Sequence, residues 1–218
     1  MKYNWAVIIL IFILPLLVFL LSIRLVAFDI GFYRSEFKRY NVYSEVENAD
    51  ELAENLLYYF QGFQGKTELD VQYFSTRELL HLKDVRNIFV FWNRAFYLLL
   101  FTSLILILYL VYTKEYSSIA SALFIGSLLT VALLVAIGLI AVIRFEWLFV
   151  NFHALFFEND FWLLSVESTL IKLFPAEFFY DAFLRIMLYS AGFALGVVLI
   201  CWVALNRIAR LEPLKLYI

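Results

Sequence analysis

The whole chain of 218 residues holds a single cysteine, Cys201. One cysteine excludes an internal disulfide and says nothing of the redox compartment. Charge is scarce too: 17% of residues are Asp, Glu, Lys or Arg, against ~25% in soluble domains. A net charge of −2 and the lack of any Lys/Arg run offer nothing to nucleic acid. Neither Gly-x-Ser-x-Gly nor His-Glu-x-x-His occurs. An acyl-enzyme route therefore has no obvious nucleophile, and the best-known zinc motif is missing. Cys201, within an apolar stretch, is in the wrong place to be that nucleophile. No Leu-rich tetrapeptide ending in cysteine lies near the N-terminus, so the chain is not expected to be a lipoprotein itself.

What fills the chain instead is apolar. Hydrophobic residues make up 64% and aromatics 20%, while soluble domains run near ~45–50% apolar. One domain of this length cannot bury that much, so the surplus must face lipid. A spanning helix needs ~20 largely apolar residues, and four stretches qualify, at about 5–28, 92–112, 119–143 and 183–205. The first is too long for a signal core and no small-x-small cleavage site follows it, so it reads as an uncleaved helix. The expectation is one all-α transmembrane domain over 1–218: a four-helix bundle whose two long connections, 29–91 and 144–182, form a helical cap.

Four crossings put both termini on one side and both long connections on the other. Lys2, Lys114, Arg207, Arg210 and Lys215 lie on the termini side, while the long connections hold 17 of the 19 acidic residues. The positive-inside rule then favours cytoplasmic termini and extracytoplasmic loops. Gly192 and Gly196 form a small-xxx-small element, read as close packing within the bundle in preference to dimerisation. The expected assembly is a monomer.

The first connection opens with Phe32-Tyr33-Arg34-Ser35-Glu36-Phe37-Lys38-Arg39-Tyr40, an aromatic and basic mix suited to lipid headgroups. A short helix follows, with Asn48 as its cap, Glu51 as reciprocal partner and Gly62 as its stop. Ser75-Thr76-Arg77-Glu78 is a capping box for a second helix that is able to run on into the second crossing. At 100° per residue, Arg77, His81, Asp84 and Ile88 share one face, and Leu82, Val85 and Phe89 make an apolar stripe. In the second connection, eight of the 18 residues at 145–162 are aromatic, which suits a segment lying in the membrane interface. Another short helix is expected over 166–174, ending before Pro175.

The two histidines, His81 and His153, fall one in each long connection, on the same side of the membrane and within polar clusters. Histidine is the side chain best suited to moving protons near neutral pH. A set of His81, Asp84 and His153 would also resemble a two-His-one-carboxylate metal site, but acid–base chemistry without metal or cofactor is the preferred reading. Close imidazoles suit an enzyme; widely separated rings favour two structural histidines in a non-enzymatic membrane protein. Arg24, Arg94 and Arg185 lie near the outer ends of the crossings. Snorkelling to headgroups is the plain reading for them; lining a substrate groove is the sharper one.

Arg77-Glu78-Leu79-Leu80-His81-Leu82-Lys83-Asp84-Val85 resembles the Arg-Glu-x-x-His-x-x-Asp-Val signature of the lipoprotein intramolecular transacylase (Lit) family. The run from Phe152 and His153 through Glu158, Asn159 and Asp160 to Trp162 resembles its second signature, and Leu173-Phe174-Pro175 and Phe178-Phe179-Tyr180-Asp181 also fit. The resemblance covers nearly the whole chain. It implies transfer of the sn-2 acyl chain of a diacylglyceryl-cysteine lipoprotein to the cysteine α-amine, giving the lyso-form. Diacylated lipoprotein and membrane lipid would be the partners. His81 and His153 would be the essential histidines, with Arg77, Glu78, Asp84, Asn159 and Trp162 in support. Asp84 is expected to stabilise a charged His81 as the acid, and the aromatic surround to keep His153 neutral as the base; the reverse assignment stays open. The runners-up are another interfacial lipid acyltransferase or hydrolase, metal-assisted in one version, and a non-enzymatic membrane protein.

The topology is directly testable. A reporter fused after Ile218 should be cytoplasmic, and a cysteine placed at Gly65 should label from outside intact cells. Labelling only after lysis would overturn the orientation.

Overall fold

The computed structural model describes residues 4–62 and 72–211, with side chains as far as Ile208. Lys2, Gly65, Lys215 and Ile218, and the side chain of Arg210, which the orientation argument and its test use, lie outside the described residues. Among the described residues there is no strand. Seven α-helices occur in the order α1 (Trp5–Ala27), α2 (Ile30–Arg39), α3 (Ala49–Gln61), α4 (Thr76–Tyr112), α5 (Tyr116–Phe156), α6 (Thr169–Leu173) and α7 (Ala176–Leu211).

Four of these, α1, α4, α5 and α7, are long and apolar enough to cross a membrane. Hydrocarbon offers a backbone N–H no water, so a crossing segment closes its hydrogen bonds within itself, as a helix. At 37 and 41 residues, α4 and α5 are about 56 and 62 Å long, roughly twice a ~30 Å hydrocarbon core. Their polar ends are therefore not needed for crossing. The charge-free stretches are 5–23, 95–112, 116–143 and 186–206.

The chain divides into two compact units, and the first, residues 1–22, 95–139 and 186–218, follows those charge-free stretches closely. Its core joins Ala6, Leu10 and Ile13 of α1 to Leu106 and Leu110 of α4 and Ala122 of α5. At Gly126 a Cβ would meet the Ile11 carbonyl at 3.0 Å and Leu14 at 3.1 Å, so two backbones approach closely here. The hydroxyls of Ser103 and Thr130 donate to the carbonyls of Leu99 and Gly126, four residues earlier, which satisfies them without water. The α4–α5 turn closes with Lys114 in the left-handed region, φ 59. Glu115 accepts from Asn4 Nδ2 at 3.0 Å and from Ser118 Oγ at 3.1 Å. The small-xxx-small reading is corrected: a Cβ at Gly192 or Gly196 would meet nothing within 4 Å. These glycines do not pack within the described chain because their face of α7 has no neighbour there.

The second unit spans residues 23–94 and 140–185. The aromatic and basic stretch is a helix, α2, since Asp29 caps it by accepting from the N–H groups of Gly31 (3.0 Å) and Phe32 (3.3 Å). Phe32, Tyr33 and Phe37 bury one face of α2 against Phe174 and Phe178. On the polar side Arg34 bridges to Asp50 (3.2 Å) and Glu54 (2.7 Å) of α3. Both ends of α2 are tied to α7: Asp29 to Arg185 at 3.1 Å, and Arg39 and Tyr40 to Asp181, the former at 2.9 Å.

Two expected helix starts come out differently. Asn48 precedes α3 but makes no side-chain cap bond, because its backbone (φ −104, ψ 33) is not in the extended form that aims a capping oxygen at the free N–H groups. The expected helix over 166–174 is only α6, with Ser168 at its N-cap. Gly62 does end α3, at φ 69. The aromatic segment at 145–162 is not a loop throughout. Residues 145–156 continue α5 beyond Arg144, whose φ −147 and ψ 51 interrupt the helix.

Overpacking distinguishes the glycines. Gly126→Leu should destabilise the detergent-purified protein by ~1–3 kcal/mol, the cost of forcing a side chain into a filled space. Gly192→Leu and Gly196→Leu should leave the unfolding temperature unchanged. Equal tolerance at all three positions would contradict the packing described.

Candidate functional site

The site is built within the second unit from the start of α4, the end of α5 and the segment after it. The capping box forms as its sequence predicts: Ser75 N–H donates to Glu78 Oε2 at 2.7 Å, and Glu78 N–H to Ser75 Oγ at 3.3 Å. Glu78 is buried, and its second oxygen accepts from the Leu170 N–H of α6 at 2.9 Å. One carboxylate thus orients α4 and α6 together. One turn later α4 presents His81.

His153 stands on the last turn of α5. The two imidazole centroids are 6.1 Å apart with planes inclined by 32°. Phe157 lies 5.1 Å from the His81 ring and 5.5 Å from the His153 ring. Trp162 lies 4.9 Å and Phe149 4.3 Å from His153. The centre is therefore a pair of histidines walled by aromatic rings.

One hydrogen bond decides a tautomer. His153 Nδ1 lies 2.7 Å from the Phe149 carbonyl. A carbonyl only accepts, so Nδ1 carries the hydrogen, and in the neutral ring Nε2 is left with a free lone pair. His81 Nδ1 is buried and has no hydrogen-bond partner among the described residues.

Burial disfavours the imidazolium at both positions. Burial and, to a lesser degree, His153 bring the His81 pKa down to about 4 against partial opposition from Asp84. Burial also lowers the His153 pKa, opposed by its bond to Phe149. The expected charged, Asp84-supported His81 is thus corrected, because desolvation outweighs the carboxylate. Nor does Asp84 bond to His81: its Oδ2 accepts from Asn159 Nδ2 at 2.8 Å.

The other predicted residues fall into two groups. Arg77 donates to the Asp160 carbonyl, lies 3.3 Å from Asp160 Oδ1 and sits over the Phe161 ring. With Asp84, Asn159 and Trp162 it belongs to the surroundings of the histidines. The arginines at the helix ends stand apart from this group. Arg24 pairs with Asn93, Arg185 pairs with Asp29 and covers the Phe32 ring, and Arg94 is exposed. Among the described residues no three His, Cys, Asp or Glu side chains form a group able to hold a metal ion. Phe149 and Phe157 belong to the aromatic surround that the sequence places about His153. That Phe157 also meets the His81 ring is decided only by the fold.

Fold and site together define a multi-pass, all-helical membrane protein with a half-buried pair of imidazoles. The profile of the family described as lipoprotein intramolecular transacylase Lit matches residues 8–179, and the chain belongs to this family. The in meso structure of the membrane integral lipoprotein intramolecular transacylase Lit from Bacillus cereus is similar, with a TM-score of 0.80 at 24% identity over 96% of this chain and 97% of that one. A structure of that Lit carrying a histidine-to-arginine mutation has a TM-score of 0.76 at 24% identity, over 97% of this chain and 93% of that one. An uncharacterized protein of Aquifex aeolicus is 27% identical over 125 residues, 57% of this chain. The chain spans about half the length of that curated relative, 55%.

A pH dependence of stability follows. The unfolded chain takes up histidine protons near pH 6.5, which the folded chain refuses until lower pH. Stability associated with the neutral rings is full above 6.5 and is lost as pH falls toward about 4. The unfolding temperature in detergent should drop over this window, and drop less in a His81→Gln, His153→Gln double variant. Identical pH profiles would contradict the half-buried, neutral pair.

Proposed function

We propose that this chain transfers the sn-2 acyl chain of a diacylglyceryl-cysteine lipoprotein to the α-amine of the same cysteine, giving the lyso-form. Family membership supports the reaction, and the observation that carries the mechanism is the pair of neutral imidazoles 6.1 Å apart. Amine and ester belong to one substrate, so the enzyme's main task is to hold them in a near-attack geometry.

His153 Nε2, left with its lone pair, accepts the proton of the attacking α-amine. The new N–C bond forms as the C–O bond to the glycerol breaks. A neutral His81 donates its ring N–H toward the developing oxyanion and supplies the proton that the leaving glycerol oxygen needs. The proton gained by His153 then restores His81, so the pair ends as it began. No covalent enzyme nucleophile is required.

Cytoplasmic termini go with this reading and put residues 29–91 and 144–182 on the extracytoplasmic side, where lipoproteins are exposed. A single 1–218 domain acting as a monomer is part of the same proposal. The arginines Arg24, Arg94 and Arg185 are assigned to headgroup contact at the edge of the substrate groove.

Mass spectrometry of a model lipoprotein co-expressed with this chain tests the reaction, the expected product being the lyso-form. His81→Ala or His153→Ala should each lower its formation by ~10²-fold or more, the scale of a lost general acid–base group. Near-normal product from either variant, shown to be folded, would refute the two-histidine mechanism.

A further inference from the structure

The segment from Phe157 to Ser168 contains no helix, yet it places two of the rings that wall the histidines. Its first residue, Phe157, is buried and touches both imidazoles; Trp162 stacks near His153. Backbone structure alone does not account for this placement.

Asn159 does. Its amide is used at both ends: Oδ1 accepts from the Phe161 N–H at 3.0 Å, and Nδ2 donates to Asp84 Oδ2 at 2.8 Å. The first bond shapes the segment and the second pins it to α4, three residues past His81. Arg77, four residues before His81, holds the neighbouring Asp160 through both its carbonyl and its carboxylate. The segment is thus fastened on either side of His81. A carboxylate that served the imidazole directly would be expected to bond to a ring nitrogen. His81 Nδ1 has no such partner.

We propose that Asp84 and Asn159 are positioning residues whose hydrogen bond clips residues 157–162 over the two histidines, so that Asp84 acts through this segment instead of through its charge on His81. The effect on acyl transfer rests on the proposed function; the shielding of the rings does not.

Three variants separate the two roles. Asn159→Asp sets carboxylate against carboxylate, which breaks the clip and keeps the charge at position 84. Asp84→Asn removes the charge but leaves an amide oxygen for Asn159 to donate to. The combined exchange, Asp84→Asn with Asn159→Asp, reverses donor and acceptor and re-forms both bonds. Detergent-purified protein is treated with diethyl pyrocarbonate, and histidine adducts are quantified by peptide mass spectrometry. With only two histidines, each adduct reports one ring.

In Asn159→Asp both rings should be modified several-fold faster, and lyso-form production should fall at least about tenfold, the scale of a reacting centre held out of place. Asp84→Asn should stay near the parent, and the combined exchange should return both readouts to the parent's level. A combined exchange as impaired as Asn159→Asp would overturn the proposal, as would strong loss in Asp84→Asn alone. If Asn159→Asp fails to fold, Asp84→Asn and the combined exchange are each compared with the parent, and strong impairment of either overturns the proposal. A parent that makes no lyso-form would sink the proposed reaction, while the adduct rates would still decide the clip.

Discussion

Inside hydrocarbon a backbone N–H has nowhere to go but the carbonyl four residues back. That constraint makes α1, α4, α5 and α7 helices regardless of what their ends do. Because α4 and α5 do not stop where their charge-free stretches stop, each carries helical structure into polar territory, α4 directly and α5 after the interruption at Arg144. His81 and His153 sit on those extensions, so their spacing is set by rigid elements and not by loops. Sites held on helices are more precise than sites held on loops.

The same shortage of water sets the chemistry. Around the histidines the chain supplies Phe149, Phe157 and Trp162 in place of solvent. Burial lowers the proton affinity of both rings, and at His81 the Asp84 carboxylate does not reverse it. The proposed O-to-N acyl shift would benefit from this arrangement. A neutral imidazole both accepts a proton at one nitrogen and donates at the other.

Polar side chains in the second unit then act mainly as fasteners. Glu78 serves the N-terminus of α4 and a backbone N–H of α6 at once, while Asp29 caps α2 and pairs with Arg185. Each uses one carboxylate to satisfy two elements. Glu36 is less well provided. It is buried, and burial together with the neighbouring Asp181 carboxylate raises its pKa.

The sequence by itself determined what depends on neighbours along the chain. The crossings follow from apolar runs, the start of α4 from Ser75 and Glu78, the end of α3 from Gly62, and the shared face of Arg77, His81 and Asp84 from helical periodicity. The two histidine motifs marked the candidate site, since no other residue type in the chain was so rare and so placed. Tertiary structure alone decided whom these side chains meet. Asp84 turns to Asn159, 75 residues away, and not to His81 one turn before it; Glu78 reaches the backbone of Leu170, 92 residues on. Gly126 packs tightly and Gly192 does not, though both look alike as small residues in apolar helices. Periodicity fixes which way a side chain points from its own helix, but a partner is selected only when distant segments are brought within hydrogen-bond reach.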